Sequence, residues 1–66
     1  MVRKVVFGKV WEIATKEEYD EAMAILDSNE FCARMSDSFR EEERECNEIN
    51  RQRAQVTAQA KEKGII

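Results

Sequence analysis

The sequence predicts a mainly α-helical protein with a short N-terminal β element, a short first helix and a long second helix that forms an antiparallel homodimer. Residues 1–14 are rich in β-branched and aromatic side chains, residue 15 opens a helix-capping motif, and residues 28–63 contain neither proline nor glycine. The 66 residues form a single domain. Because a domain this short buries only ~60% of its unfolded surface, we expect a second chain to complete its core.

The β element spans residues 1–14. Apolar side chains recur at alternate positions, with Lys9 the exception, which is the period of a half-buried strand: Val5, Phe7, Trp11 and Ile13. Gly8 interrupts this pattern and has two interpretations. Either Gly8-Lys9 is a two-residue type II′ turn in a hairpin, or Gly8 is a bulge in one longer strand that pairs with a strand of another chain.

The first helix is predicted over residues 15–27. Thr15 and Glu18 form a capping box, in which the threonine hydroxyl accepts from the Glu18 amide. Apolar residues then recur at helical spacing: Tyr19, Ala22, Met23 and Leu26. We expect this helix to end near Asp27-Ser28-Asn29.

The second helix is predicted over residues 28–63, a length of ~50 Å at 1.5 Å per residue. Gly64 stands where a C′ glycine would end it. The alternative is a break near Ser36 to Ser38, where Ser-Asp-Ser would cap a new helix. In that case the apolar positions would fold back within one chain on Tyr19, Met23 and Leu26.

A heptad frame on the long helix predicts how two copies meet. Position a holds Cys32, Phe39, Cys46, Arg53 and Ala60, and position d holds Met35, Glu42, Ile49, Val56 and Lys63. Antiparallel pairing of two such helices places Glu42 against Arg53 twice by symmetry, whereas parallel pairing opposes like charges. The predicted dimer interface is therefore Met35, Phe39, Glu42, Cys46, Ile49, Arg53, Val56 and Ala60.

Composition excludes several kinds of site. The chain has no histidine and only two cysteines, too few for a four-ligand metal site, so we expect neither metal nor cofactor. Cys32 and Cys46 are expected to be reduced thiols. There is no apolar run long enough to span a membrane and no signal-peptide pattern, which predicts a cytoplasmic protein.

Catalysis is not expected, because no nucleophile motif, phosphate-binding loop or histidine is present. The net charge of −3 and the acidic middle of the chain favour a protein target instead. Aromatic residues dominate binding hot spots, and carboxylates would face a basic surface. The possible partner-binding residues are Trp11, Tyr19, Glu41, Glu45 and Glu48.

Nucleic acid is the less favoured partner. Basic side chains that would contact phosphates are Arg3, Lys4, Lys9, Arg51, Arg53, Lys61 and Lys63. The order of one strand and two helices is similar to that of ribbon-helix-helix regulators and antitoxins. However, Val5, Val6 and Phe7 offer little to read base edges, and the first helix is acidic.

In its layout the chain resembles the small proteins that phages encode to block host defence systems, which are tiny, acidic, without catalytic residues and often homodimeric. This resemblance implies a non-enzymatic homodimer that inhibits or adapts a host protein in the host cytoplasm. The alternatives are a small DNA-binding regulator or antitoxin, and a structural oligomerisation module.

Overall fold

The computed structural model of the chain describes residues 5–66, and these form a helical hairpin with an extended N-terminal segment. Helix α1 spans Lys16–Arg34 and helix α2 spans Phe39–Glu62. The short connection makes the two packed helices antiparallel neighbours, in a body of 39 × 21 × 16 Å. The predicted mainly helical class, with a shorter helix before a longer one, is confirmed.

The predicted start of α1 is confirmed. Thr15 has extended backbone angles, and its Oγ1 accepts a hydrogen bond from the Glu18 amide at 3.2 Å. The reciprocal contact differs from the usual capping box, because the Thr15 hydroxyl itself donates to Glu18 Oε1 at 3.3 Å. The two residues still close the first turn, as their spacing predicts.

The predicted boundary between the helices is wrong. Helix α1 does not end near residue 27 but continues to Arg34, because Asn29 and Ala33 extend the buried face begun by Ala22 and Leu26. A single helix over residues 28–63 is therefore not formed. The alternative break near Ser36 to Ser38 is confirmed.

Serine side chains make the break. Ser36 Oγ accepts from the Ser38 amide at 3.3 Å, and the Ser38 side chain in turn accepts from the Glu41 amide at 3.3 Å. Ser38 is thus the N-cap of α2. These local bonds satisfy backbone groups that a continuous helix would otherwise bond.

The end of α2 is a Schellman motif. The Gly64 amide donates to the Lys61 carbonyl at 3.2 Å and the Ile65 amide donates to the Ala60 carbonyl at 2.8 Å. Gly64 has φ 71°, the left-handed conformation that glycine adopts without steric cost. Its predicted role as the C′ residue is confirmed.

The core lies between the two helices and the N-terminal segment. Its buried apolar residues are Ile13, Ala22, Leu26, Ala33, Ile49, Val56 and Ala60. Half-buried side chains pack around them: Val5, Trp11, Tyr19, Met23, Cys46 and Ile65. One chain therefore assembles a small core of its own.

The N-terminal segment is extended but pairs with no strand among residues 5–66. We call residues 5–14 the strap. Its turn is at Phe7-Gly8, one residue earlier than the predicted Gly8-Lys9 turn, and Gly8 has φ 78°. Side chains of α2, and not a second strand, bind the strap's backbone. The part of the predicted β element at residues 1–4, including Arg3 and Lys4, lies outside the described residues.

The heptad register fails because the helix breaks inside it. Ile49, Val56 and Ala60 are fully buried within the single chain, whereas Met35 and Phe39 are exposed. These predicted interface residues therefore do not share one exposed stripe.

The charges of the register are also placed differently. Arg53 binds Asp27 and, at 3.3 Å, Glu30, both on α1 of the same chain. Arg53 is thus neutralised within the hairpin and does not need Glu42 of a second copy. Glu42 and Cys46 are half-buried on α2.

Candidate binding surfaces

Three glutamines on α2 bind the backbone of the strap. Gln55 Oε1 accepts from the Trp11 amide at 2.6 Å, and Gln59 Oε1 accepts from the Ile13 amide at 2.8 Å. Gln59 Nε2 donates back to the Trp11 carbonyl. The Gln59 amide therefore pairs with the groups on either side of Glu12, as the peptide group of a neighbouring parallel strand would.

Gln52 is the most buried of the three, with 1% of its surface exposed. Its Nε2 donates to the Val6 carbonyl at 2.7 Å and to Glu48 Oε2 at 2.9 Å, and its Oε1 accepts from Trp11 Nε1 at 2.9 Å. Burying an amide is costly unless its donors and acceptor are bonded, and here all are. Gln52 therefore fixes both the strap and the indole.

Glu48 is held in its charged form at the same place. The Arg51 guanidinium bonds to it, Gln52 donates to it, and the Gly8 amide donates to Oε2 at 3.0 Å. These donors, Arg51 first and Gln52 second, lower the pKa of Glu48 from 4.5 to about 2. Glu48 is thus a fixed anion that anchors the turn of the strap.

The predicted partner-binding residues do not form one exposed surface. Trp11 is half-buried with its amide, carbonyl and indole N–H all bonded to α2, and Tyr19 packs against the core. Glu48 is committed to the strap. Glu41 is exposed and Glu45 is half-buried.

A shallow pocket of about 160 Å³ lies where the strap meets the first half of α1. Trp11, Ile13 and Ala22 form its apolar part, and three carboxylates line it: Glu12, Glu18 and Glu21. None of the three forms an ion pair with a residue in 5–66. We call this the acidic pocket, and its chemistry suits a cationic side chain with an aliphatic stem.

Several basic side chains that were predicted to contact phosphates are engaged within the hairpin. Arg51 binds Glu48 and the Lys9 carbonyl, and Lys63 Nζ donates to the Ile13 carbonyl. The hydrogen bonds that Arg53 donates to Glu30 and Asp27 raise the pKa of Arg53 above its ordinary value. Lys9 lies over the Trp11 ring, 3.8 Å from its centre.

An apolar surface lies at the turn of the hairpin. Phe31 on α1, Met35 at its end and Phe39 at the start of α2 are 66%, 68% and 80% exposed. We call these three residues the apolar tip. In so small a chain, three large exposed apolar side chains at one end mark an interaction surface.

Reasoning from the sequence missed Phe31 and the three glutamines. The heptad frame left Phe31 out, although its four-residue spacing from Met35 places both on one helix face. The spacing of Gln52, Gln55 and Gln59 was a usable signal, since residues three and four apart line one face. Glutamine on a helix is usually solvated, however, so this spacing alone does not predict contacts with a backbone.

Within residues 5–66, no group of three histidine, cysteine, aspartate or glutamate side chains has the geometry to hold a metal ion. Neither α1 nor α2 is both long and apolar enough to cross a membrane. Cys32 and Cys46 are free and half-buried. No protein-family model, curated protein or solved structure matches the chain.

Proposed function

We propose that the protein is a non-enzymatic, homodimeric binding protein that inhibits or adapts a protein partner with a basic surface. The observation that carries this proposal is the coexistence, on one small hairpin, of an exposed apolar tip with an acidic pocket whose carboxylates form no ion pair to any of residues 5–66. The apolar tip serves self-association and the acidic pocket serves the partner.

The apolar tip supports self-association. Phe31, Met35 and Phe39 remain in water in a single chain, and burying large apolar side chains yields ~1.5–3 kcal/mol each. Of the eight interface residues predicted from the sequence, Met35 keeps this role in the proposal, and Phe39 is exposed at the same turn. Ile49, Val56 and Ala60 do not, because the chain's own core already buries them.

The acidic pocket supports a basic partner. Glu12, Glu18 and Glu21 line it together with Trp11, Ile13 and Ala22. A lysine or arginine would therefore meet carboxylates at its charged end and apolar atoms along its stem. The formal net charge of −3 favours approach of a cationic surface over long range.

The same facts weigh against a DNA-binding regulator. Arg51 and Arg53 are bonded to carboxylates of their own chain, so contact with phosphate would first have to break those bonds. The helix that follows the strap begins with acidic residues. A protein partner fits this charge distribution better.

Binding in two steps tests the proposal. The tagged full-length protein is used to capture partners from a bacterial lysate, and each captured protein is then purified and titrated by calorimetry. We expect Glu21→Gln to weaken binding at least tenfold, and higher salt to weaken it further. Glu43→Gln, at an exposed position near the start of α2 and so at the opposite end of the hairpin from the acidic pocket, is the matched control and should bind as the unaltered protein does.

Two results would overturn the proposed partner chemistry. One is a partner whose affinity is the same for Glu21→Gln and for the unaltered protein. The other is binding of mixed-sequence duplex DNA at low salt that disappears toward ~200 mM salt, which is the behaviour of phosphate contacts. Because the layout resembles phage-encoded inhibitors, components of bacterial defence systems are the first partners to titrate.

A further inference from the structure

The outer face of α1 carries a second apolar stripe. The core side of α1 is formed by Ala22, Leu26, Asn29 and Ala33. The opposite side has exposed residues at spacings of four, three and four: Ala24, Ser28, Phe31 and Met35. Apolar and small residues at this spacing are the pattern by which one helix packs against another. We call these four residues the outer stripe.

We propose that the outer stripe is the contact between two copies of the chain, with α1 packed antiparallel on α1 of the partner. The proposal rests on the homodimer inferred above and specifies its geometry. The two-fold axis passes between Asn29 and Glu30, so Phe31 of one copy meets Ser28 of the other and Met35 meets Ala24. A second copy is the occupant because the stripe is complementary to itself.

Side-chain size favours this register. The stripe has its two small residues in one half and its two large residues in the other, so antiparallel overlap fits each large side chain against a small one. A parallel arrangement would place Phe31 against Phe31 and Ser28 against Ser28, which leaves one layer crowded and another empty. Packed interfaces tolerate neither overpacking nor voids.

Charge supports the same arrangement. Asp27 and Arg34 flank the outer stripe on the same side, seven residues apart on α1. Each forms an ion pair within its own chain, Asp27 with Arg53 and Arg34 with Glu30, yet both side chains remain 68% exposed. Antiparallel overlap about the proposed axis brings Arg34 of one copy near Asp27 of the other, twice by symmetry. In a parallel dimer the flank that carries both residues in one copy would lie on the opposite side of the contact from the same flank of the other copy, so Arg34 and Asp27 could not pair.

The size of the contact sets its strength. The outer stripe covers about three turns of helix, or ~17 Å, and such a contact buries less than the ~800 Å² per partner of a standard interface. The dimer should therefore be weak, with dissociation at micromolar concentration or above. Phe39 lies on α2 outside the stripe, so it is not required in this contact.

Disulfide cross-linking of the full-length chain tests the direction and register. In a background of Cys32→Ala and Cys46→Ala, a single cysteine is introduced as Ser28→Cys or as Ala24→Cys. About the proposed axis, the two copies of residue 28 are offset by ~5 Å along the helices, whereas the two copies of residue 24 are offset by ~17 Å. Only the first pair is within disulfide reach.

We expect Ser28→Cys to form a disulfide-linked dimer under mild oxidation at least tenfold faster than Ala24→Cys. Equal cross-linking of both variants would indicate parallel helices and overturn the inference. If neither cross-links while sedimentation shows a dimer, the inference is wrong and the homodimer proposal stands. If sedimentation shows only monomer, both fail.

A second measurement avoids removing the half-buried native cysteines. In the unaltered background, Phe31→Ser and Phe39→Ser each replace one exposed phenylalanine, so neither should unfold the hairpin. We expect Phe31→Ser to raise the dimer dissociation constant at least tenfold and Phe39→Ser to change it less than threefold. An equal or larger effect of Phe39→Ser would overturn the assignment to the outer stripe.

Discussion

Gln59 pairs with the backbone on both sides of Glu12: its side-chain oxygen accepts from the Ile13 amide and its nitrogen donates to the Trp11 carbonyl. One side-chain amide thereby does what a peptide group does in a β-ladder. The backbone hydrogen-bonding groups of Trp11 and Ile13 are thus bonded without a neighbouring strand. A segment with strand-like composition therefore docks on a helix.

Replacing Gln59 tests this pairing. Gln59→Leu leaves one backbone donor and one acceptor of the strap without their partners, so we expect it to lower the free energy of unfolding by about 2 kcal/mol. Urea denaturation followed by circular dichroism measures the change. Asn50→Leu, at an exposed position of α2, is the control and should stay within ~0.5 kcal/mol.

The side chain of Ile13 tests whether the strap belongs to the core. Ile13 is 1% exposed, and removing most of a buried isoleucine costs about 3 kcal/mol. Ile13→Ala should therefore reduce the free energy of unfolding by that amount. Val10→Ala, on the same strap but 72% exposed, should have almost no effect. Equal effects of the two would show that the strap does not dock.

The ion pairs of Arg53 hold α1 on α2. Arg53→Gln should lower the free energy of unfolding by about 1 kcal/mol, the size expected of a partly exposed pair. Glu30→Gln should lower it similarly, and the double variant by less than the sum, because both remove one interaction. Glu42→Gln should have little effect. A larger loss for Glu42→Gln would favour the register predicted from the heptads.

The lowered pKa of Glu48 predicts that the stability of the fold depends on pH. Its pKa is lowered to about 2 in the folded chain against 4.5 ordinarily, so the folded state favours the charged form. The stabilisation is complete above about pH 4.5 and is lost as the pH falls toward 2. Glu48→Gln should remove this part of the acid dependence, as measured by thermal unfolding between those pH values. An unchanged profile would contradict the assigned contacts.

The start of α1 and the end of α2 could be predicted from the sequence, because each depends on a capping signal formed by neighbouring residues. Thr15 with Glu18 and Gly64 after α2 could be identified because each acts within one turn of helix. The break at Ser36 to Ser38 was visible only as an alternative. Serine pairs occur inside helices as well, so these serines alone do not decide between a break and a continuous helix. The outcome depends on whether Leu26, Ile49 and Val56 bury more apolar surface within one chain than against a second chain.

The strap and the ion pairs of Arg53 could not be predicted in the same way. A pattern of alternating apolar residues predicts an extended segment, but it does not distinguish a neighbouring strand from a row of glutamines such as Gln52 and Gln59. Arg53 binds Asp27 and Glu30 because the hairpin places these two residues of α1 opposite it. Such contacts depend on the position of the turn, and the heptad frame assumes a continuous helix through that position.

Sedimentation equilibrium of the full-length protein over about 10–500 µM, a range suited to a weak contact, tests self-association most directly. The account predicts a mass that rises from one chain to two, and a rise that Phe31→Ser abolishes while its circular dichroism stays helical. A mass of one chain, 7.7 kDa, at every concentration would contradict it.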